Sequence, residues 1–207
     1  MPRQDKISRE LRALQQQLID CRACPTMHGP PVHGEPVAAS ILLVGQAPGE
    51  REIVEHRPFA WTAGKTLFRW FSSIGADEQA FRQKVYMSAV CRCFPGKKPR
   101  GGDRVPNADE IRRCARWLNA ELTILQPALV IPVGKLAISQ FLECRTLRDV
   151  IGQQHTISID DRRADVIPLP HPSGASTWHV TEPGKTLLQD ALQHIRAHPA
   201  FIGTFSS

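Results

Sequence analysis

Residues 41–44, ILLV, form an apolar run that stops abruptly at Gly45-Gln46-Ala47-Pro48-Gly49. A short apolar run ended by Gly and Pro reads as a buried strand that delivers a loop. The loop is long and polar, and it closes on a helical pattern that carries Leu67, Phe68, Trp70 and Phe71 on an apolar side. Strand, loop and helix in this order build α/β sheets, and the loops at strand ends are where such proteins bind ligands. By itself, a Gly- and Pro-bearing loop of this kind offers backbone N–H groups to a small ligand or a phosphate.

The rest of the chain repeats the alternation. Apolar runs at residues 85–90, 129–133 and 165–170 read as three more strands, and helical periodicity covers residues 8–18, 64–74, 107–125, 135–142 and 183–198. Strands alternating with helices predict a three-layer α/β/α sandwich around a four-stranded parallel sheet. No internal repeat or linker interrupts the chain, so residues 1–207 are expected to form one domain. Residues 94–107, FPGKKPRGGDRVPN, are basic and rich in helix and strand breakers, and are expected to stay mobile.

Charge and cysteine placement narrow the chemistry. Lys and Arg outnumber Asp and Glu by 26 to 20, which suits an anionic partner. The N-terminal segment is charged and lacks an apolar core of its own, and no run reaches the length of a membrane span, so a cytosolic protein with no membrane partner is expected. In a reducing compartment the six cysteines point to metal rather than to disulfides. Cys21 and Cys24 form a C-x-x-C, and Cys93 and Cys114 complete a set of four thiols that suits either zinc or an iron-sulfur cluster. Cys91 competes with Cys93 for the third position, whereas Cys144 reads as a small buried apolar residue.

The first loop and its helix resemble the first signature of the uracil-DNA glycosylase superfamily, nearest its iron-sulfur-containing family 4 type. That pattern is G-E-x-P-G-x-x-E followed by G/R-x-P-F-x-G-x-A-G, matched here by Gly45, Pro48, Gly49, Glu52, Arg57, Pro58, Phe59, Ala63 and Gly64. His171-Pro172-Ser173, after the last strand, is similar to the family's second signature. Two departures are evident: the family's first acid is Gln46, and its base-reading Asn aligns with Ala89. The resemblance implies a monomeric DNA-repair enzyme whose partner is uracil-containing DNA.

It also implies the site. Phe59 would stack on a flipped base, His171 would stabilise the departing base anion, and Gln46 and Ala47 would meet the base edge beside Ala89. Gln46 would orient water, with Glu52 the best carboxylate to activate it. Ser173, Gly174, Ala175 and Ser176 would hold phosphates, joined by Lys97, Lys98 and Arg100 of the basic loop. Cys21, Cys24, Cys93 and Cys114 would hold a 4Fe-4S cluster. No Lys lies in either signature loop to form a Schiff base, which implies simple hydrolysis. Gln46 and Ala89 leave two alternatives: excision of other deaminated bases such as hypoxanthine or xanthine, or a cluster-bearing DNA-binding protein with little turnover.

Overall fold

The computed structural model describes residues 2–174 and 176–206. One sheet is built from β1 (Ile41–Gly45), β2 (Tyr86–Ala89), β3 (Leu129–Pro132), β4 (His155–Ile159) and β5 (Arg162–Val166), in the spatial order β2-β1-β3-β5-β4. The four strands β2, β1, β3 and β5 run parallel, with Leu43 opposite Met87 on one side and Ile131 on the other. The helices are α1 (Pro2–Ile19), α2 (Glu50–Glu55), α3 (Thr62–Ser72), α4 (Glu78–Lys84), α5 (Ala108–Leu125), α6 (Lys135–Ile138), α7 (Gly184–Ala197) and α8 (Pro199–Phe205).

Strand alternation sorts the core into two layers. Ile41 and Leu43 point into a cluster with Phe71, Phe81, Leu192 and Ile195, contributed by α3, α4 and α7. Leu42 and Val44 point the other way, toward Leu11 and Leu18 of α1 and Leu118 and Leu122 of α5. Both faces of β1 are therefore covered, which is why its sequence is continuously apolar.

The expected four-stranded parallel sheet is corrected to a mixed sheet of five. The added strand, β4, pairs antiparallel with β5 through the turn residues Asp160 and Asp161, both at positive φ (46° and 62°). A two-residue loop of this kind matches the twist of the flanking strands. His155-Thr156-Ile157-Ser158-Ile159 shows the period-two exposure of an edge strand, so a signal was present in the sequence. The last parallel strand also begins earlier than its apolar run, at Arg162. Beyond Val166 the pairing thins to Ile167 N–H on Val130 O (3.1 Å) and an isolated Leu169–Val133 bridge, because Pro168 and Pro170 carry no N–H for a ladder.

Residues 94–107 are folded rather than loose. Lys98 N–H donates to Gly102 O (2.8 Å), Arg104 N–H donates to Gly96 O (2.9 Å), and the Arg104 guanidinium grips the Glu110 carboxylate. Glu110 is the anchor. It closes a reciprocal cap with Asn107 at the start of α5 and accepts from the Thr26 hydroxyl at 2.7 Å, so one buried carboxylate ties the basic loop to the segment after Cys24.

Candidate active site

A cleft of about 740 Å³ opens where the loops after β1 and β2 meet the loop after β5. Its floor is the Gly45–Gly49 turn, held in place by Val90 N–H donating to Gly45 O (2.9 Å) and Cys91 N–H donating to Gln46 O (3.0 Å). Gln46, Ala47, Phe59, Ala89 and His171 all line the cleft, which brings together every residue expected to bind the base.

Phe59 is held by its backbone. Its φ is 52°, a conformation that costs free energy for a bulky residue unless the surroundings impose it. Arg82 imposes it, donating to Pro58 O at 2.9 Å and Phe59 O at 3.0 Å. The start of α3 packs so closely that a Cβ on Gly64 would fall 1.8 Å from Phe59 O, so only glycine fits there. The ring then lies against Gly45 at the end of β1.

His171 has a defined protonation form. Its Nδ1 accepts from Ser173 N–H at 3.2 Å, which leaves the proton of the neutral ring on Nε2. Burial, aided by His179, lowers its pKa below the ordinary 6.5. The ring packs closely on the turn after β3, where Gly134 holds a φ of 85° that L side chains rarely adopt and a Cβ would sit a tight 3.1 Å from His171 Cδ2. His171 therefore offers a neutral N–H donor at a fixed place in the cleft wall.

An aromatic platform and a neutral imidazole donor on one cleft suit recognition of a planar heterocycle that leaves as an anion. The family model of the Uracil DNA glycosylase superfamily matches residues 31–196. This chain belongs to that superfamily. It is 29% identical over 174 residues to the Type-4 uracil-DNA glycosylase of Sulfurisphaera tokodaii, covering 80% of this chain and 75% of that protein. It is 30% identical over 168 residues to the Type-4 uracil-DNA glycosylase of Archaeoglobus fulgidus, covering 76% and 78%. The Pyrobaculum aerophilum Type-4 enzyme is 27% identical over 173 residues, covering 79% and 83%.

Within this superfamily site, Glu52 differs from its expected role. Its Oε2 accepts from Gly49 N–H (2.7 Å) and its Oε1 from Ala60 N–H (3.1 Å). Burial raises its pKa against these bonds. The carboxylate thus braces the two ends of the signature loop, and activation of water, offered from sequence, is corrected to loop support. Lys97 is likewise committed, at 2.5 Å from Glu50 across two exposed side chains, so a phosphate would have to compete with that pair. Lys98, Ser173 and Gly174 line the cleft, whereas Arg100 and Ser176 stand outside its lining, and Ala175 lies outside the described residues.

Two cleft residues escaped the sequence reading. Trp61, 48% exposed, stands at the rim with Arg51 at 5.1 Å and Lys65 at 5.8 Å over its ring. Its position inside the signature loop was the available signal. Asp103 reaches the cleft from the basic loop, and no local pattern distinguishes it from a solvated loop acid. Trp178 packs against α7, where a Cβ on Gly184 would lie 2.7 Å from its ring, and is partly buried against the core.

The thiols form a second centre. Cys21, Cys24, Cys93 and Cys114 line one cavity of about 510 Å³ with Arg92, Arg113 and Trp117. Cys91 is fully buried outside that lining, and its thiol beside Cys114 lowers the Cys114 pKa to about 7. Burial raises the Cys93 thiol to about 12, with the neighbouring thiols adding to the shift. Cys144 lies elsewhere and donates to Thr146 O at 3.3 Å. Among the described residues no three His, Cys, Asp or Glu side chains approach closely enough to hold a single metal ion.

Proposed function

We propose that this chain excises uracil from DNA by hydrolysing its N-glycosidic bond and leaves an abasic site. The observation that carries the reading is the pairing of Phe59 with a neutral, Nε2-protonated His171 on one cleft. An extruded uracil stacks on the Phe59 ring while His171 Nε2–H donates to the carbonyl oxygen on which negative charge grows as the bond breaks. Backbone N–H groups of Gln46 and Ala47 meet the remaining edge. Ser173 and Gly174 hold the phosphates beside the extruded nucleotide. Phe59→Ala is expected to remove the stacking platform and weaken productive binding by about 1–3 kcal/mol. Single-turnover excision on a uracil duplex checks this, and an unchanged rate and affinity would take the base off that ring.

A second reading concerns which base. Ala89 offers only a methyl group, and the neighbouring Ser88 hydroxyl donates to Glu121 at 2.7 Å, so this end of β2 presents no free side-chain polar group to the base. A site that rejects analogues must hydrogen-bond the feature they lack. This arrangement favours tolerance of other deaminated bases. Duplexes carrying uracil, hypoxanthine or xanthine, each cleaved with alkali after incubation, separate the two readings.

We also infer that Cys21, Cys24, Cys93 and Cys114 hold a 4Fe-4S cluster. The donor set fits: four thiols share one cavity, Arg116 approaches Cys21 Sγ at 3.6 Å, and the buried Arg92 lining the same cavity has an Nε–H with no protein partner. Cationic and N–H groups stabilise thiolates and cluster sulfurs. When bound, the cluster would fasten the C-x-x-C segment to the β2 exit and to α5. Purified protein is expected to contain iron. Cys93→Ala should lose it, while Cys144→Ala should keep it; zinc without iron, or the reverse pattern, would overturn the assignment.

A further inference from the structure

Hydrolysis through an oxocarbenium-like sugar needs an anion near the sugar face, and the position that provides one in the family signature holds Gln46, whose amide cannot accept a proton at neutral pH. The cleft is lined by three carboxylates: Glu50, Glu52 and Asp103. Glu52 spends both oxygens on backbone N–H groups, and Glu50 is tied to Lys97 at 2.5 Å. Asp103 alone of the three has no side-chain hydrogen bond among the described residues. Its Oδ2 lies 3.2 Å from the point where a Cβ on Gly49 would sit, so the carboxylate overhangs the signature loop at Gly49, three residues after Gln46.

The loop that carries Asp103 is built to hold it. Lys97 and Asp103 face one another across a short antiparallel bridge closed by the Lys98–Gly102 hydrogen bond, and the next residue, Arg104, is clamped on Glu110. We propose that Asp103 is the catalytic carboxylate of this enzyme, standing in for the acid that Gln46 replaces. The proposal rests on the uracil-excision reading above. As the glycosidic bond breaks, its electron pair leaves on the base. Asp103 stabilises the positive charge left on the sugar and takes a proton from the water that attacks the anomeric carbon. That proton passes to solvent, the departing base anion gains one from solvent, and the products are free base and an abasic site. Partial burial is the largest influence on Asp103 and raises its pKa; Lys97 opposes the rise by favouring the ionised form, and Glu50 adds to it.

Two measurements on Asp103→Asn test this. The first is single-turnover excision from a uracil duplex at saturating enzyme, where a loss of about a hundredfold is expected. The second is the affinity for duplexes carrying a cationic pyrrolidine abasic analogue against a neutral tetrahydrofuran one. The unmodified protein should prefer the cation, and Asp103→Asn should lose most of that preference while binding the neutral duplex as before. A wild-type excision rate in Asp103→Asn would overturn the proposal. So would an unchanged cation preference, whether or not the unmodified protein excises uracil, which keeps failure of the Asp103 role separate from failure of the uracil reading. Equal loss of affinity for both analogues would also overturn it, because it would mark Asp103 as a support for the loop.

Discussion

His171→Ala should lower single-turnover excision by roughly tenfold to a hundredfold, a loss of about 1.4–2.7 kcal/mol of transition-state stabilisation. The donor is fixed on two sides, by Ser173 N–H on Nδ1 and by the Gly134 turn against the ring, so its hydrogen bond costs little reorganisation when the base leaves. DNA affinity should change little, because phosphate contacts dominate it. The pH dependence has a definite sign. Burial lowers the pKa of His171 from 6.5, so the neutral donor persists at that pH and the rate should hold there, declining only at lower pH as protonation of Nδ1 displaces the Ser173 N–H. A folded His171→Ala protein that excises at the wild-type rate, with an unchanged melting curve, would remove this residue from the chemistry.

The largest stability effect is expected at Glu121, far from any signature. Its carboxylate accepts four hydrogen bonds: from Tyr86 Oη (2.7 Å), Ser88 Oγ (2.7 Å) and the Arg92 guanidinium (2.8 and 2.6 Å). Arg92 and Glu121 are each 1% exposed. Glu121→Ala strands a buried guanidinium and two hydroxyls, which should cost about 3–5 kcal/mol. That loss lowers Tm by roughly 6–20 °C for a domain of this size. Replacing both partners with apolar residues should recover much of the loss, since the desolvation of the charges is removed along with their attraction. A thermal melt of Glu121→Ala within a degree or two of wild type would show that the pair contributes no net stability. The network also joins the two centres, because Ser88 of β2 lines the cleft while Arg92 lines the thiol cavity.

Much of the architecture was legible because its signals are local. The ILLV run, the Gly and Pro stops and the spacing of Leu67, Phe68 and Phe71 encode a buried strand, a turn and an amphipathic helix within a few residues of each other. The Asn107–Glu110 cap is equally short-ranged. The β4–β5 hairpin is less legible despite its alternating pattern, since its exposed half resembles an ordinary polar loop and the apolar stretch after it runs on to Pro168 and Pro170, which cannot join a ladder.

The site divides the same way. Phe59 and His171 of the cleft, and Cys21, Cys24 and Cys114 of the second centre, are legible in the sequence because they sit in compact strings or on a periodic helix. What each polar group does depends on tertiary contacts. Glu52 and Asp103 are both loop acids in the sequence, yet one is consumed by Gly49 and Ala60 N–H groups and the other overhangs the same loop from a distant turn. Cys91 and Cys93 differ by two residues, and which one lines the thiol cavity depends on how the β2 exit turns toward α5. A carboxylate or thiol carries its chemistry in the side chain, but its partners come from segments remote in sequence, and it is the partners that set its charge and its availability.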